Sequence, residues 1–387
     1  MSRALCLVPH AFKLTVGVGF LMYRFCGIQL DPNPNRCFSE RMDSLIKNKI
    51  KVLVVDDSLV FRETLARGIA KDPCMEVVAT AVDPYDARDK IIQFDPDVMS
   101  LDMEMPRMNG IEFLQKLMPQ HPLPVVMVSG VSVNVFDALK AGAVDFVHKP
   151  DLQSKTGIEP LINELIVKLK IASTAKLGHW KTPTATPSHI EKVGNSTDIK
   201  IIAIGASTGG TEAIATIIKD FAPNMPGTVI VQHMPPVFTK MYADRLNNAC
   251  LMEVKEAENG DRVYPGRILI APGDFQMRLK KTGGEYLVEC FKGEKVNGHC
   301  PSVDVLFQSV AEQTARSAVG VILTGMGADG AKGLLEMRKR GARTLGQNEE
   351  SSVVYGMPKV AFELGAVERQ APVEEIARLI YGLVHQP

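Results

Sequence analysis

From Lys51 onward the chain alternates short apolar, β-branched runs with longer amphipathic stretches, and this alternation constrains the fold more than any other feature. Apolar runs of strand length suit strands buried on both faces, and one-sided apolar stretches suit crossover helices. Together they call for parallel sheets sandwiched between helices. Strands are predicted at Lys51–Val55, Glu76–Ala81, Val98–Leu101, Val125–Val128 and Asp145–Val147. Helices are predicted at Val60–Ala70, Tyr85–Phe94, Ile111–Met118, Val133–Ala141 and Ile158–Lys170. This set suits an open doubly wound sheet of flavodoxin-like order 2-1-3-4-5.

The pattern lapses between Ser173 and Asp198, where Thr, Pro, Lys and His gather (KTPTATPSHIEK) and apolar side chains are too few to build a core. A second alternation then begins, with strands at Lys200–Ile204, Thr228–Gln232, Arg267–Ala271 and Val319–Thr324. Its helices fall near Gly210–Lys219, Val303–Ala315, Ala331–Arg340 and Val373–Val384, and Asp274–Cys290, with Gly283 and Gly284 between two alternating runs, reads as an inserted β-hairpin. The expected layout is an extension outside the fold over residues 1–49, a first α/β domain over 50–172, a linker over 173–198 and a second, Rossmann-like parallel α/β domain over 199–387. Within the extension, the apolar run Leu14–Tyr23 is far short of the roughly 20 residues that span a bilayer, and Met42 offers an alternative start. No membrane insertion is expected.

Forty-four basic residues balance 44 acidic ones, so no basic stripe argues for nucleic acid. The seven cysteines are odd in number, scattered and free of any Cys-x-x-Cys pair, which suits a reducing cytoplasm rather than a disulfide framework or a zinc site. A monomer is expected.

In an open α/β sheet, ligands bind beyond the carboxyl ends of the strands, where the strand order reverses. Asp56 and Asp57 end the first strand, Asp102 the third, Ser129 the fourth and Lys149 the fifth. Each alone reads as a turn or helix-capping residue. Converging on one rim, the carboxylates repel one another and suit a hard divalent cation such as Mg²⁺, while a hydroxyl and an ammonium suit a phosphoryl group. The central Asp102 is the candidate nucleophile for an aspartyl phosphate. The motifs VLVVDDS, LDMEMPRMNG, VVMVSG and DFVHKP resemble response-regulator receiver domains of two-component signalling. The resemblance implies phosphorylation of Asp102 by a histidine kinase. It also implies Mg²⁺ held by Asp57 and Asp102 with help from Asp56 and the Glu104 carbonyl, sensing of the phosphoryl group by Ser129 and Lys149, and Phe146 as a switch aromatic.

In the second domain, Gly205-Ala206-Ser207-Thr208-Gly209-Gly210 lies between a strand and a helix. It fits the Gly-x-Ser-x-Gly nucleophile elbow and neither Gly-x-Gly-x-x-Gly nor a nucleoside triphosphate loop, although a phosphate cradle is the rival reading. His233 directly follows the next strand and is the candidate base, and Asp329 in GMGADG follows a third strand and is the candidate orienting carboxylate. The Gly325–Gly327 loop could offer backbone N–H groups as an oxyanion hole, with Met326 the chosen donor. Cys300 and His299 form a rival nucleophile pair, but nothing beside Cys300 activates it, so both are taken as cleft or packing residues.

The set GASTGGTEAI, VIVQHMP, PSVDVLF and ILTGMGADG resembles the catalytic domain of the chemotaxis-specific protein-glutamate methylesterases, the CheB family. The resemblance implies hydrolysis of glutamyl methyl esters on methyl-accepting chemotaxis receptors and deamidation of selected receptor glutamines, with no cofactor for the hydrolysis. Carried over, Ser207 is the nucleophile, His233 the base and then the acid, and Asp329 the orienting group. A phospho-switch and an esterase on one chain predict that the unphosphorylated first domain packs over the Ser207 cleft and that phosphorylation of Asp102 opens it. The rival classes are a signalling adaptor with a non-catalytic second domain and a transcription factor. The latter lacks a helix-turn-helix or basic recognition helix.

Overall fold

The computed structural model describes residues 49–130, 135–150, 157–177 and 199–385. The expected N-terminal extension, its apolar run and most of the expected linker lie outside the described residues. The first domain holds strands β1 (Ile50–Val55), β2 (Met75–Ala81), β3 (Val98–Asp102), β4 (Val125–Ser129) and β5 (Asp145–His148). They form one parallel sheet in the order β2-β1-β3-β4-β5, the doubly wound order expected. Helices α1 (Leu59–Ile69), α2 (Pro84–Phe94), α3 (Gly110–Leu117), α4 (Val135–Ala141) and α5 (Glu159–Ala172) connect or follow these strands. Their starts have chemical causes. Ser58, Asp83 and Asn109 each accept a hydrogen bond from a first-turn N–H, and Pro84 stands at the first position of α2, where no N–H is needed.

The second domain is a seven-stranded, wholly parallel sheet. Its strands are β6 (Ile201–Ala206), β7 (Gly227–Gln232), β8 (Glu253–Glu256), β10 (Arg267–Ile270), β13 (Ala318–Ile322), β14 (Arg343–Gln347) and β15 (Arg369–Ala371), in the order β15-β14-β13-β6-β7-β10-β8. Its helices are α6 (Gly210–Ile218), α7 (Phe238–Ala249), α8 (Val303–Thr314), α9 (Ala331–Lys339), α10 (Met357–Glu363) and α11 (Val373–Val384). The predicted hairpin is present as β11 (Gln276–Thr282) and β12 (Glu285–Phe291), with β9 (Arg262–Val263) added antiparallel to it. Sequence order runs from β6 to β7 on one side and returns at β13 on the other, so the strand order reverses at β6. The crevice beyond the ends of β6 and β13 is the expected place for a site.

The alternation did not reveal β8, β14, β15, α7 or α10. In β14, the sequence RTLGQ carries one large apolar side chain, yet Thr344 to Gln347 are all buried because the strand fills a slot between β13 and β15. Tertiary context outweighs local propensity there.

The two domains share a continuous core. Phe136 of α4 stacks on Tyr242 of α7 at 5.4 Å, and Phe146 of β5 lies 4.6 Å from Phe238. Arg245 pairs with Asp137 at 2.9 Å. Beyond α5, Lys176 donates its N–H to Val353 O and pairs with Glu349.

Candidate active site and phospho-acceptor site

Ser207 stands in the turn between β6 and α6. Gly209 adopts φ = +77°, a conformation that costs glycine nothing, and this lets the chain reverse sharply behind the serine. The turn is tied from several sides. Ser207 donates its N–H to Thr324 O at 3.0 Å, Gly210 N–H donates to Ser207 O, and the buried Gln232 amide donates to both Ser207 O and His233 O. The loop after β13 comes so close that a Cβ on Gly325 would sit 2.6 Å from that of Ser207. Gln232 and Thr324 thus hold the elbow, and neither was singled out from the sequence.

His233 follows β7, with its Nε2 2.8 Å from Asp329 Oδ2. A carboxylate only accepts, so Nε2 is the donor of this pair and Nδ1 is the ring nitrogen left for a second contact. That Nδ1 is buried and has no hydrogen-bond partner among the described residues. Asp329 is 1% exposed and heavily hydrogen-bonded. Oδ1 accepts from Asn297 Nδ2 (2.7 Å) and Ser302 Oγ (2.7 Å), and Oδ2 accepts from the Val303 N–H (2.7 Å). Burial alone would raise its carboxyl, but the bonds from His233, Asn297 and Ser302 hold it well below the usual range. Asn297, Ser302 and Asp304, which accepts from Asn297 and from the Gly333 N–H, form a supporting layer. Only the PSVDVLF motif hinted at it in the sequence.

Met326 is 44% exposed at the rim. Gly325 N–H is engaged with Val354 O, so that loop donor is already used. His299 lies flat on His233, with centroids 3.7 Å apart and planes 8° apart. The Cys300 thiol is pushed up by burial and Asp274, the opposite of what a thiolate nucleophile needs.

In the first domain, Asp56, Asp57 and Asp102 bring carboxylate oxygens within 4.8 Å of one another, close enough to share one cation. Lys149 Nζ lies 2.8 Å from Asp102 and 2.9 Å from Asp56. Burial, with added repulsion from Asp56, pushes the Asp102 carboxyl up to about 6 in spite of Lys149. Burial would lower Lys149, but the two carboxylates outweigh it and raise the ammonium. Glu104 and Asp57 line an open depression of about 340 Å³ beside Asp102. Ser129 Oγ lies 3.7 Å from Met103 Sδ, and Phe146 is buried beneath Lys168.

Thr208, next to Ser207, donates its hydroxyl to Asp145 Oδ2 at 3.0 Å. Asp145 and Phe146, adjacent on β5, thus touch Thr208, next to Ser207, and Phe238, at the start of the helix that follows His233.

The CheB methylesterase family model matches residues 202–380, and the response regulator receiver domain model matches residues 52–156. A protein-glutamate methylesterase/protein-glutamine glutaminase 2 from Syntrophomonas wolfei is 62% identical over 340 residues, covering 87% of this chain and 98% of that protein. The chain belongs to the CheB methylesterase family. A protein-glutamate methylesterase/protein-glutamine glutaminase of Escherichia coli is 48% identical over 335 residues, covering 86% of this chain and 96% of its own. The CheB methylesterase catalytic domain of Thermotoga maritima is 40% identical with a TM-score of 0.47, covering 48% of this chain and 99% of that one. Within the CheB family frame, the chain is a response regulator joined to a hydrolase-type domain. Among the described residues no helix is long and apolar enough to cross a membrane.

Proposed function

We propose that the chain is a phosphorylation-controlled protein-glutamate methylesterase and protein-glutamine glutaminase that uses Ser207, His233 and Asp329. The observation that carries this reading is the buried Nδ1 of His233 beside the Ser207 elbow, without a hydrogen-bond partner among the described residues, with Nε2 held on Asp329. Ser207 Oγ attacks the γ-carbonyl carbon of a glutamyl methyl ester while Nδ1 takes its proton. The tetrahedral oxyanion is held by the Met326 N–H and by that of Thr208, the residue after the nucleophile. The C–O bond to the methoxy group breaks, and His233 returns the proton so that methanol leaves. Water, deprotonated by the same Nδ1, then splits the acyl-serine to free the glutamate. A glutamine side chain follows the same path with ammonia leaving. The substrates are methyl-accepting chemotaxis receptors, and no cofactor enters the hydrolysis.

Asp102 is the phospho-acceptor and a histidine kinase the donor. Asp56, Asp57 and Asp102, with the Glu104 carbonyl, are the residues that would hold Mg²⁺, which lowers the charge on the transferring group when bound. Lys149 and Ser129 face the same rim and bind the phosphoryl oxygens. In the unphosphorylated state, the Asp145–Thr208 and Phe146–Phe238 contacts keep the first domain over the second, and phosphorylation shifts the population to an open form. The four described cysteines are free thiols, which supports a cytoplasmic protein. The balanced overall charge gives no support for a nucleic-acid partner, and the protein acts as a monomer.

The test is methanol release from methylated receptor membranes. Ser207→Ala should abolish it while the protein stays folded, and retained release would remove Ser207 as nucleophile.

A further inference from the structure

Between β12 and α8 the chain makes a tight two-residue turn. Val296 and His299 exchange both backbone hydrogen bonds at 3.0 Å, and the central Asn297 and Gly298 have φ of +53° and +86°. Positive φ at both positions is what a type I′ turn requires, and Asn-Gly is the pair that adopts it most readily. The turn is anchored from below by the buried Gln276. Its amide donates to Glu294 O and His299 O, and its Oε1 accepts the Ser302 N–H.

This short turn reaches the His233–Asp329 pair twice. Asn297 donates to Asp329 Oδ1 at 2.7 Å, and two residues later His299 covers the face of the His233 ring. We infer that the Val296–His299 turn is a clamp on the catalytic pair, with Asn297 and His299 as positioning residues that fix the Asp329 carboxylate and the plane of the His233 imidazole. The inference rests on the Ser207–His233–Asp329 reading of the site.

The stack suits this task. A parallel ring in van der Waals contact with one face of His233 restricts its tilt toward that side, which helps keep Nδ1 aimed while Nε2 remains on Asp329. Burial and the neighbouring His233 push the His299 imidazole down to about 4, so at neutral pH it adds no second positive charge when His233 takes the serine proton. A neutral ring face then lies against the imidazolium as it forms. Fixing a base to within a fraction of an ångström is a recognised source of rate, because small misplacements in a near-attack geometry are costly.

His299→Phe keeps a flat face, whereas His299→Leu fills similar space without one. Asn297→Gly keeps the positive φ and removes only the amide donor. The clamp predicts that His299→Leu and Asn297→Gly lower kcat for methanol release on the order of tenfold with KM within about twofold, and that His299→Phe retains kcat within about threefold. A loss of stability alone would not separate Phe from Leu in this way. The second readout is the low-field proton resonance of His233 Nε2–H in the full-length protein, which needs no turnover. It should persist in the wild type and His299→Phe and be lost to exchange in His299→Leu. Equal kcat in the Phe and Leu variants, or an unchanged resonance in His299→Leu, overturns the clamp. If the resonance follows this pattern while Ser207→Ala still releases methanol, the clamp stands and the serine-esterase reading falls.

Discussion

Phe136→Ala is the substitution that most directly weighs the contact between the two domains. In the closed arrangement Phe136 is 3% exposed, stacked on Tyr242 and capped by the Arg245 guanidinium 5.7 Å from the ring centre. On the proposed opening this face of α4 would meet water, so the ring should stabilise the closed state selectively. Full burial of a Phe side chain contributes about 1.5–3 kcal/mol, and an aromatic pair adds about 0.5–1.5 kcal/mol. Part of that burial is against the first domain's own core and is kept on opening, so a differential of about 2 kcal/mol is reasonable. At 1.4 kcal/mol per factor of ten, the open-to-closed ratio rises roughly 30-fold. Methanol release from methylated receptor membranes without phosphodonor should climb by that factor or until it meets the phosphorylated rate. The rate with saturating phosphodonor should stay where it is in the wild type. A basal rate unchanged in Phe136→Ala, with activation by phosphodonor intact, would refute the reasoning, because the contact would then not hold the closed state.

Three further outcomes follow from the same geometry. Asp102→Asn should keep basal hydrolysis and lose all activation by phosphodonor in that assay; residual activation would assign the switch to another residue. Gly325→Ala places a Cβ 2.6 Å from that of Ser207, so it should lower both kcat and the melting temperature, and a wild-type melting curve would contradict the packing. His299 is held neutral down to about 4 in the folded protein, against about 6.5 when unfolded. Between those values the unfolded chain binds the extra proton, so this group's contribution to stability falls as pH drops from about 6.5 to about 4. Urea midpoints at pH 7 and pH 5 should therefore fall less for His299→Phe than for the wild type, and equal falls would contradict the burial argument.

The strand ends were legible because buried parallel strands are written in apolar β-branched residues, and the polar residue that breaks each run sits at the carboxyl end of its strand. That one rule located Asp56, Asp102, Ser129, Lys149, Ser207 and His233 along the chain. Asp329 was within reach because it too follows a strand. Gln232, Asn297, Ser302 and Asp304 were not, since their roles depend on contacts across long separations in sequence, such as Asn297 with Asp329. The Asn297-Gly298 pair is a strong turn signal in itself, but nothing local says that its side chain meets a carboxylate. His299 was read as a cleft or packing residue, and it lies flat on His233, a contact between residues far apart in sequence that no local pattern announces. The strand Arg343–Gln347 escaped notice because its burial is imposed by neighbours on both sides.

The central claim is that phosphorylation of Asp102 governs the reactivity of Ser207, and the rate at which a fluorophosphonate labels Ser207 in the full-length protein reads this without any receptor present. The rate should rise on addition of phosphodonor and Mg²⁺ in the wild type and stay at its basal value in Asp102→Asn. Identical rates with and without phosphodonor in the wild type, or an equal rise in Asp102→Asn, would contradict the account.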